Sequence, residues 1–278
     1  LEAIDGLPIT EHCRDHGLDV PARVDLFLDV LAAVAHAHQR LILHRDLKPS
    51  NILVERESGA VKLLDFGIAK LVGDAQEAAH GAAATAITQQ AGRAYTLQYA
   101  APEQVQGDDV TTATDVYALG VLLYQLLSGH HPTAGRTTTV GSELALMREV
   151  VEIEPKRLSE QARRSPDEAL RRGARGLRGD LDTIVAKALK KLPAERYANA
   201  QALADDLKRW RAHEPIAARP DARLYTLGRF LRRHRVATVA TAAVALALVG
   251  GTALALWQAR EARAQRLEAE GLIEFMLG

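Results

Sequence analysis

The sequence predicts an α+β fold that is mainly α-helical, contains a small β-hairpin, and continues into a single membrane-spanning helix. Several segments repeat their apolar residues at helical spacing, and two short apolar runs flank one turn-forming stretch. Towards the C-terminal end, residues 236–259 contain no charged side chain. Apolar residues make up 47% of the 278, so the chain can build a sizeable core.

The first predicted elements are a helix and a hairpin. Apolar runs at residues 51–54 and 61–64 are separated by the sequence Glu-Arg-Glu-Ser-Gly at 55–59, which favours a tight turn between two strands. Before them, residues 21–39 predict a helix, because their core-facing positions follow helical spacing: Val24, Phe27, Leu28, Leu31, Val34, Ala35 and His38.

Beyond the hairpin the pattern is mostly helical. Residues 73–92 are rich in Ala, Gln, Thr and Gly without a clear period, which predicts a loop. Residues 112–128 are strongly apolar and predict a helix that is buried on most sides. Residues 181–191 and 200–212 predict two further helices. The Arg-rich stretch 163–179 shows no clear pattern, and we assign it no structure.

The end of the chain has the features of a membrane anchor. An uncharged helix of 24 residues is roughly 36 Å long, which exceeds a hydrocarbon core of about 30 Å. Trp257 suits a membrane interface. We therefore predict a span over residues 236–257, with a buried helix of a soluble domain as the alternative. A basic cluster precedes the span: Arg229, Arg232, Arg233, His234 and Arg235.

The flanks of this segment predict its orientation. Residues 214–235, with Pro215 and Pro220, form a basic juxtamembrane linker, and 258–278 begin a helical extension. Five Arg lie in the fifteen residues before Val236 and three in the fifteen after Ala259. Because cytoplasmic flanks are richer in Lys and Arg, we expect a single-pass protein of the plasma (inner) membrane with residues 258–278 outside the cytoplasm.

Small residues recur every fourth position within the predicted span. Such a stripe lets two helices approach closely, so a homodimer is one expectation. The alternative is that small residues fall on every face of an Ala-rich span by composition. The stripe consists of Ala243, Ala247, Gly251 and Ala255.

Composition excludes two other classes of protein. Lys plus Arg and Asp plus Glu number 35 each, which argues against nucleic-acid binding. The single cysteine, Cys13, rules out an intramolecular disulfide framework, and we expect it to be an ordinary thiol.

The strongest chemical signal is the octapeptide His-Arg-Asp-Leu-Lys-Pro-Ser-Asn at residues 44–51. Phosphoryl transfer needs a carboxylate near the acceptor hydroxyl, a cation near the moving phosphoryl group, and oxygen ligands for Mg²⁺. Asp46, Lys48 and Asn51 supply these three groups. Asp65 opens an Asp-Phe-Gly sequence fourteen residues after Asn51, just beyond the second predicted strand, and offers a second metal-binding oxygen.

These motifs resemble those of the protein kinase family. The octapeptide, Asp-Phe-Gly and Ala-Pro-Glu at 101–103 occur in the family's order, and the Lys-Pro-Ser segment is similar to the Ser/Thr branch. The sequence RGDLDTIVAKAL, the linker and the single span resemble bacterial transmembrane (Hanks-type) Ser/Thr kinases. The resemblance implies a protein-kinase-like fold with residues 7–213 as the C-terminal lobe. It also implies ATP and Mg²⁺ as cofactors, and proteins with Ser or Thr as substrates.

The resemblance also assigns roles to individual residues. Asp46 would be the catalytic carboxylate, and Lys48 would act in catalysis and contact ATP. Asn51 and Asp65 would hold Mg²⁺ and, through it, ATP. Two further residues resemble structural positions of the family. Asp115 would brace the backbone of the catalytic loop, which is the octapeptide at residues 44–51, and Arg196 would pair with Glu103.

Residues 1–6 resemble the hinge between the two kinase lobes, in which the backbones of Glu2 and Ile4 would hydrogen-bond adenine. We therefore expect an N-terminal lobe to precede Leu1 in a longer protein, and the 278 residues alone to be inactive. The alternative is a membrane-anchored pseudokinase or scaffold that lacks this lobe. The intact set of catalytic and metal-binding residues favours receptor-like kinase activity.

Residues 65–103 resemble the activation segment. Arg45 precedes the catalytic Asp, and family members with this Arg commonly use it to bind a phosphorylated residue of that segment. Thr85 and Thr88 are the predicted phosphorylation sites, with ordinary polar loop residues as the alternative. Thr96 resembles the Thr that contacts the catalytic loop from the substrate-binding end of the segment.

Overall fold

The computed structural model describes residues 4–65, 97–133 and 143–219, together with Leu246, Leu248, Gly251, Thr252 and Trp257. The chain divides into two compact units, Leu1–Asp221 and Ala222–Gly278. The described elements of the first unit are, in order, β1 (Gly6–Pro8), α1 (Ile9–Asp15), α2 (Val20–Gln39), a 3₁₀ turn (Pro49–Asn51), β2 (Ile52–Glu55), β3 (Val61–Leu63), α3 (Pro102–Gln106), α4 (Thr112–Ser128), α5 (Glu143–Glu152), α6 (Leu158–Ala162), α7 (Glu168–Leu177), α8 (Asp180–Ala188), a second 3₁₀ turn (Pro193–Glu195) and α9 (Ala200–Arg211).

Helix α2 confirms the helix predicted over residues 21–39. Its N-cap is Asp19, whose side chain accepts a hydrogen bond from the Ala22 amide at 2.9 Å, and Pro21 occupies the first turn, where a missing N–H costs nothing. The apolar stripe that includes Phe27 and Leu31 is buried. The C-terminal end of α2 therefore has a fixed place directly before the octapeptide.

The predicted hairpin is confirmed as β2 and β3, which pair antiparallel with Ile52 opposite Leu63 and Val54 opposite Val61. Its turn contains Gly59 at φ +69°, a conformation that favours glycine. Strand β1 pairs antiparallel with the other edge of β2, giving the order β1-β2-β3. The sequence did not predict β1, because three residues are too few to show a period.

Helix α4 lies at the centre of this unit and has the bounds that the sequence predicts. Thr111 and Thr114 form a reciprocal capping box at its start, and Gly129 ends it in the left-handed conformation with φ +73°. Nearly all its residues are buried, and it contacts α2, α8 and α9. Asp115, a buried polar residue of α4, is therefore held rigidly.

The Arg-rich stretch contains α7. Leu170, Ala174 and Leu177 recur at helical spacing and are buried, while the arginines of this helix are exposed. The predicted helices at 181–191 and 200–212 correspond to α8 and α9.

The residues after α9 fold back against it. The carboxylate of Asp206 is fully buried and accepts hydrogen bonds from the amides of Ala217 and Ala218, at 2.6 and 2.9 Å. Ile216 is also buried. The first residues of the predicted linker are therefore fixed on the lobe.

Within the part of the chain that the structure describes, no helix is long and apolar enough to cross a bilayer. The predicted span over 236–257 lies outside the described residues, apart from five. These five are helical and exposed: Leu246, Leu248, Gly251, Thr252 and Trp257. The predicted loop at 73–92, the phosphorylation sites Thr85 and Thr88, Thr96, and the extension 258–278 also lie outside the described residues.

Candidate active site

The octapeptide brings three predicted site residues together between α2 and β2. Lys48 Nζ donates to Asp46 Oδ2 at 2.7 Å, and Asn51 Nδ2 donates to the same oxygen at 3.1 Å. Asn51 Nδ2 also donates to the main-chain carbonyl of Asp46 at 2.9 Å. The side chains of Asp46 and Lys48 are each 18% exposed, so the carboxylate is oriented by its neighbours and still reaches the surface.

Asp115, on α4, fixes the backbone that precedes Asp46. One of its carboxylate oxygens accepts from the His44 amide and the other from the Arg45 amide, both at 2.8 Å. Asp115 is only 1% exposed, and two charge-assisted hydrogen bonds to a buried carboxylate are strong. This geometry agrees with the predicted bracing role of Asp115.

A third donor to Asp115 is His38 Nε2, on α2, at 2.9 Å. The sequence placed His38 on the apolar face of the helix without assigning it a partner. Its position offered one signal, since a buried imidazole on an apolar face requires a hydrogen-bond partner.

Asp65 follows β3 and is held close to the catalytic loop by backbone contacts. The Leu64 amide donates to the Asn51 carbonyl at 2.8 Å, and His44 Nε2 donates to the Leu64 carbonyl at 3.1 Å. Burial lowers the pKa of His44 and so favours the neutral imidazole, and the Leu64 carbonyl, which can only accept, places its proton on Nε2. Asp65 is exposed, with φ +47°, and Phe66 and Gly67 lie outside the described residues.

The side-chain oxygens of Asn51 and Asp65 are suitable ligands for a magnesium ion. Asn51 uses its amide nitrogen on Asp46, so its carbonyl oxygen Oδ1 is the atom that would face a cation. Asp65 adds an exposed carboxylate. Mg²⁺ prefers such hard oxygen ligands and takes the remainder from water and substrate phosphates. Among the described residues there is no cluster of three or more His, Cys, Asp or Glu able to hold a metal.

The two predicted adenine contacts are only partly described. Glu2 lies outside the described residues, and Ile4 is half-buried two positions before β1. The neighbouring Asp5 carbonyl accepts from the Arg56 amide at 3.0 Å, which ties this segment to the β2–β3 turn.

A buried ion pair joins α3 to the segment after the second 3₁₀ turn. Arg196 donates to both carboxylate oxygens of Glu103 at 2.7 Å, as the sequence predicts. Arg196 also donates to the carbonyls of Ala113, Lys190 and Lys191. Burial alone would raise the pKa of Glu103, but the hydrogen bonds and charge of Arg196 hold it below its usual value.

Sequence reasoning also missed Gln104, the residue after this ion pair. Its side chain contacts the catalytic loop at the Arg45 carbonyl. A lone Gln after Ala-Pro-Glu carries no signal by itself, because the contact spans 59 residues of sequence.

Comparison with known proteins agrees with this geometry. The family described as "Protein kinase domain" matches residues 1–207, and the chain therefore belongs to the protein kinase family. Among its relatives, the serine/threonine-protein kinase PknB of Mycobacterium tuberculosis is 34% identical over 219 residues, covering 78% of this chain and 31% of that protein. A probable serine/threonine-protein kinase of Streptomyces coelicolor is 32% identical over 219 residues, covering 78% of this chain and 29% of that protein.

The chain thus spans about a third of the length of these curated relatives. Among solved structures, the PknI kinase domain of Mycobacterium tuberculosis is similar at 25% identity with a TM-score of 0.48, covering 75% of this chain and 64% of that one.

Proposed function

We propose that this protein is an ATP-dependent serine/threonine kinase that transfers the γ-phosphoryl group of ATP to Ser and Thr hydroxyls of proteins. The observation that carries the proposal is the convergence of Lys48 and Asn51 on the Asp46 carboxylate, on a loop braced by Asp115. A scaffold has no physical need for this arrangement, whereas phosphoryl transfer depends on such positioning.

Each residue has a distinct task in this proposal. Asp46 orients the acceptor hydroxyl and accepts its proton. Lys48, 2.7 Å from Asp46, brings a positive charge to the place where the phosphoryl group meets that hydroxyl. Asn51 and Asp65 supply oxygens for Mg²⁺, and the ion, when bound, neutralises charge on the phosphate oxygens.

The central test removes the charge of Asp46 and keeps its shape. In the full-length protein, Asp46→Asn should lower kcat for phosphorylation of a protein acceptor by about 100-fold or more, because the amide cannot accept the proton. ATP affinity, measured by titration, should change little. Asp15→Asn, on the exposed surface of α1, is the matched control and should retain full activity. Wild-type kcat in the Asp46→Asn variant would contradict the assignment.

We further propose that the protein is a receptor-like kinase of the plasma (inner) membrane, anchored by residues 236–257 with its kinase lobe in the cytoplasm. The support is the uncharged length of this segment and its Arg-rich leading flank. A homodimer through the stripe at Ala247 and Gly251 belongs to the same proposal. Changing both residues to Leu should abolish self-association of the span in a membrane two-hybrid assay. A signal that survives this change would exclude the stripe as the interface.

A further inference from the structure

Arg45, which directly precedes the catalytic carboxylate, has an unusual backbone conformation. Its φ is +65°, in the left-handed region that a residue with a Cβ atom rarely adopts. Such a conformation persists only where surrounding contacts hold it. The direction in which the Asp46 side chain projects from the backbone depends on these contacts.

Two side chains hold the two peptide groups on either side of the Arg45 Cα. The preceding peptide is fixed by Asp115, whose Oδ1 accepts from the Arg45 amide at 2.8 Å. The following peptide, which carries the Asp46 nitrogen, is contacted by Gln104 Nε2, which donates to the Arg45 carbonyl at 3.2 Å. The first contact comes from α4, and the second comes from α3.

Gln104 is itself well anchored. Its Oε1 accepts from the Ala101 amide at 3.0 Å and so caps the start of α3. The adjacent Glu103 makes the bidentate, buried ion pair with Arg196. The side-chain amide of Gln104 therefore bridges two segments. Its oxygen accepts from the Ala101 amide at the end of the activation segment, and its nitrogen donates to the carbonyl of the peptide that joins Arg45 to Asp46.

We propose that Gln104 is a positioning residue for phosphoryl transfer, which links the C-terminal end of the activation segment to the orientation of Asp46. The inference rests on the proposed kinase function. It gives the residue after Ala-Pro-Glu a task that a simple helix cap would not have. A cap needs only the acceptor oxygen, whereas the contact with the catalytic loop needs an N–H donor.

Glutamate separates these two tasks. Glu can cap a helix as Gln does, but its carboxylate has no proton to donate and repels the Arg45 carbonyl. In the full-length protein, Gln104→Glu should lower kcat by about 10-fold or more, while KM for ATP and the urea unfolding midpoint stay close to wild type. Gln104→Leu, which loses both contacts, should lower kcat and also reduce stability.

The pH dependence of kcat tests whether the N–H donor of the Gln104 side chain is what matters. A protonated carboxyl group can donate as the amide does, so the kcat deficit of Gln104→Glu, taken relative to wild type at the same pH, should narrow only as pH falls towards about 5, near the ordinary pKa of Glu. The deficit of Gln104→Leu should not depend on pH. Gln106, exposed on the same helix, offers matched controls, and Gln106→Glu and Gln106→Leu should both retain wild-type kcat.

A second measurement does not depend on turnover. Hydrogen–deuterium exchange of peptides covering residues 44–47 should be faster in Gln104→Glu than in wild type, and unchanged in Gln106→Glu. If wild type transfers no phosphate, the proposed function fails, and faster exchange would then show only that Gln104 holds the backbone at Arg45. Unchanged kcat in Gln104→Glu, or unchanged exchange, would overturn the inference.

Discussion

At the scale of single residues, Asp46 and Asp65 have the same side chain but lie in different surroundings. Asp46 is partly buried and oriented by Lys48 and Asn51. Asp65 is exposed and follows the strand that is tied to Asn51 through Leu64. The first environment suits proton transfer in a fixed geometry, and the second suits binding a cation that arrives with ATP.

This difference predicts distinct consequences for a change at Asp65. Asp65→Ala in the full-length protein should weaken Mg²⁺-dependent ATP binding by about 10-fold or more, because one of the two proposed protein ligands would be lost. ATP binding measured in EDTA should remain as in wild type. A fluorescence titration with and without Mg²⁺ measures both affinities. Asp109→Ala, at an exposed position before α4, serves as the control. Equal Mg²⁺-dependent binding in wild type and Asp65→Ala would remove Asp65 from the metal site.

The sequence predicted the chemical identity of the site residues better than their conformation. Asp46, Lys48 and Asn51 are recognisable because their spacing within one octapeptide is local. The left-handed backbone at Arg45 depends on Asp115 and Gln104, which are 70 and 59 residues away. The resemblance to protein kinases predicted the contact of Asp115, but no local pattern encodes the contact of Gln104 or the left-handed conformation of Arg45.

At the scale of elements, the Glu103–Arg196 pair joins parts of the lobe that are 93 residues apart in sequence. Both side chains are almost fully buried, so removing one charge leaves the other without compensation. Glu103→Gln should therefore destabilise the protein by about 3 kcal/mol at neutral pH. Urea unfolding followed by tryptophan fluorescence would measure the loss. Glu195→Gln, at a half-exposed carboxylate near Lys190, should change stability by less than about 1 kcal/mol.

The pH dependence of this pair has a definite sign. Arg196 holds the pKa of Glu103 below its ordinary value of 4.5, so the carboxylate contributes stability that is fully present above pH 4.5. That contribution is lost as pH falls through the folded-state pKa. The stability difference between wild type and Glu103→Gln should thus narrow below pH 4.5. A difference that stays constant into this range would contradict the ionic contribution of Glu103.

The elements differ in how well the sequence defined them. Helix α4 was predicted with its observed bounds because its apolar run is continuous, and the structure adds the caps at Thr111 and Gly129. Helix α7 escaped prediction, because its arginines obscure the buried stripe of Leu170, Ala174 and Leu177. Strand β1 exists through its pairing with β2, which no pattern in three residues can indicate.

At the scale of the whole molecule, the chain leaves the kinase lobe at a fixed point. The Asp206 carboxylate accepts hydrogen bonds from the backbone amides of Ala217 and Ala218, and the preceding residue, Ile216, is buried. Only residues 220–235 then separate the described lobe from the predicted span. A stretch of about sixteen residues reaches at most about 55 Å when fully extended.

The proposed membrane anchoring predicts both insertion and orientation. With reporters fused after Gly278 in bacterial cells, alkaline phosphatase should be active and green fluorescent protein dark, because the residues after the span would lie outside the cytoplasm. Changing Leu246 and Leu248 to Arg places two charges near the centre of the span at a cost of roughly 5–7 kcal/mol. This variant should leave the membrane fraction and lose phosphatase activity. Changing the same two residues to Ile is the matched control and should preserve both. A fluorescent reporter after Gly278, or a wild-type protein absent from the membrane fraction, would contradict the proposed topology.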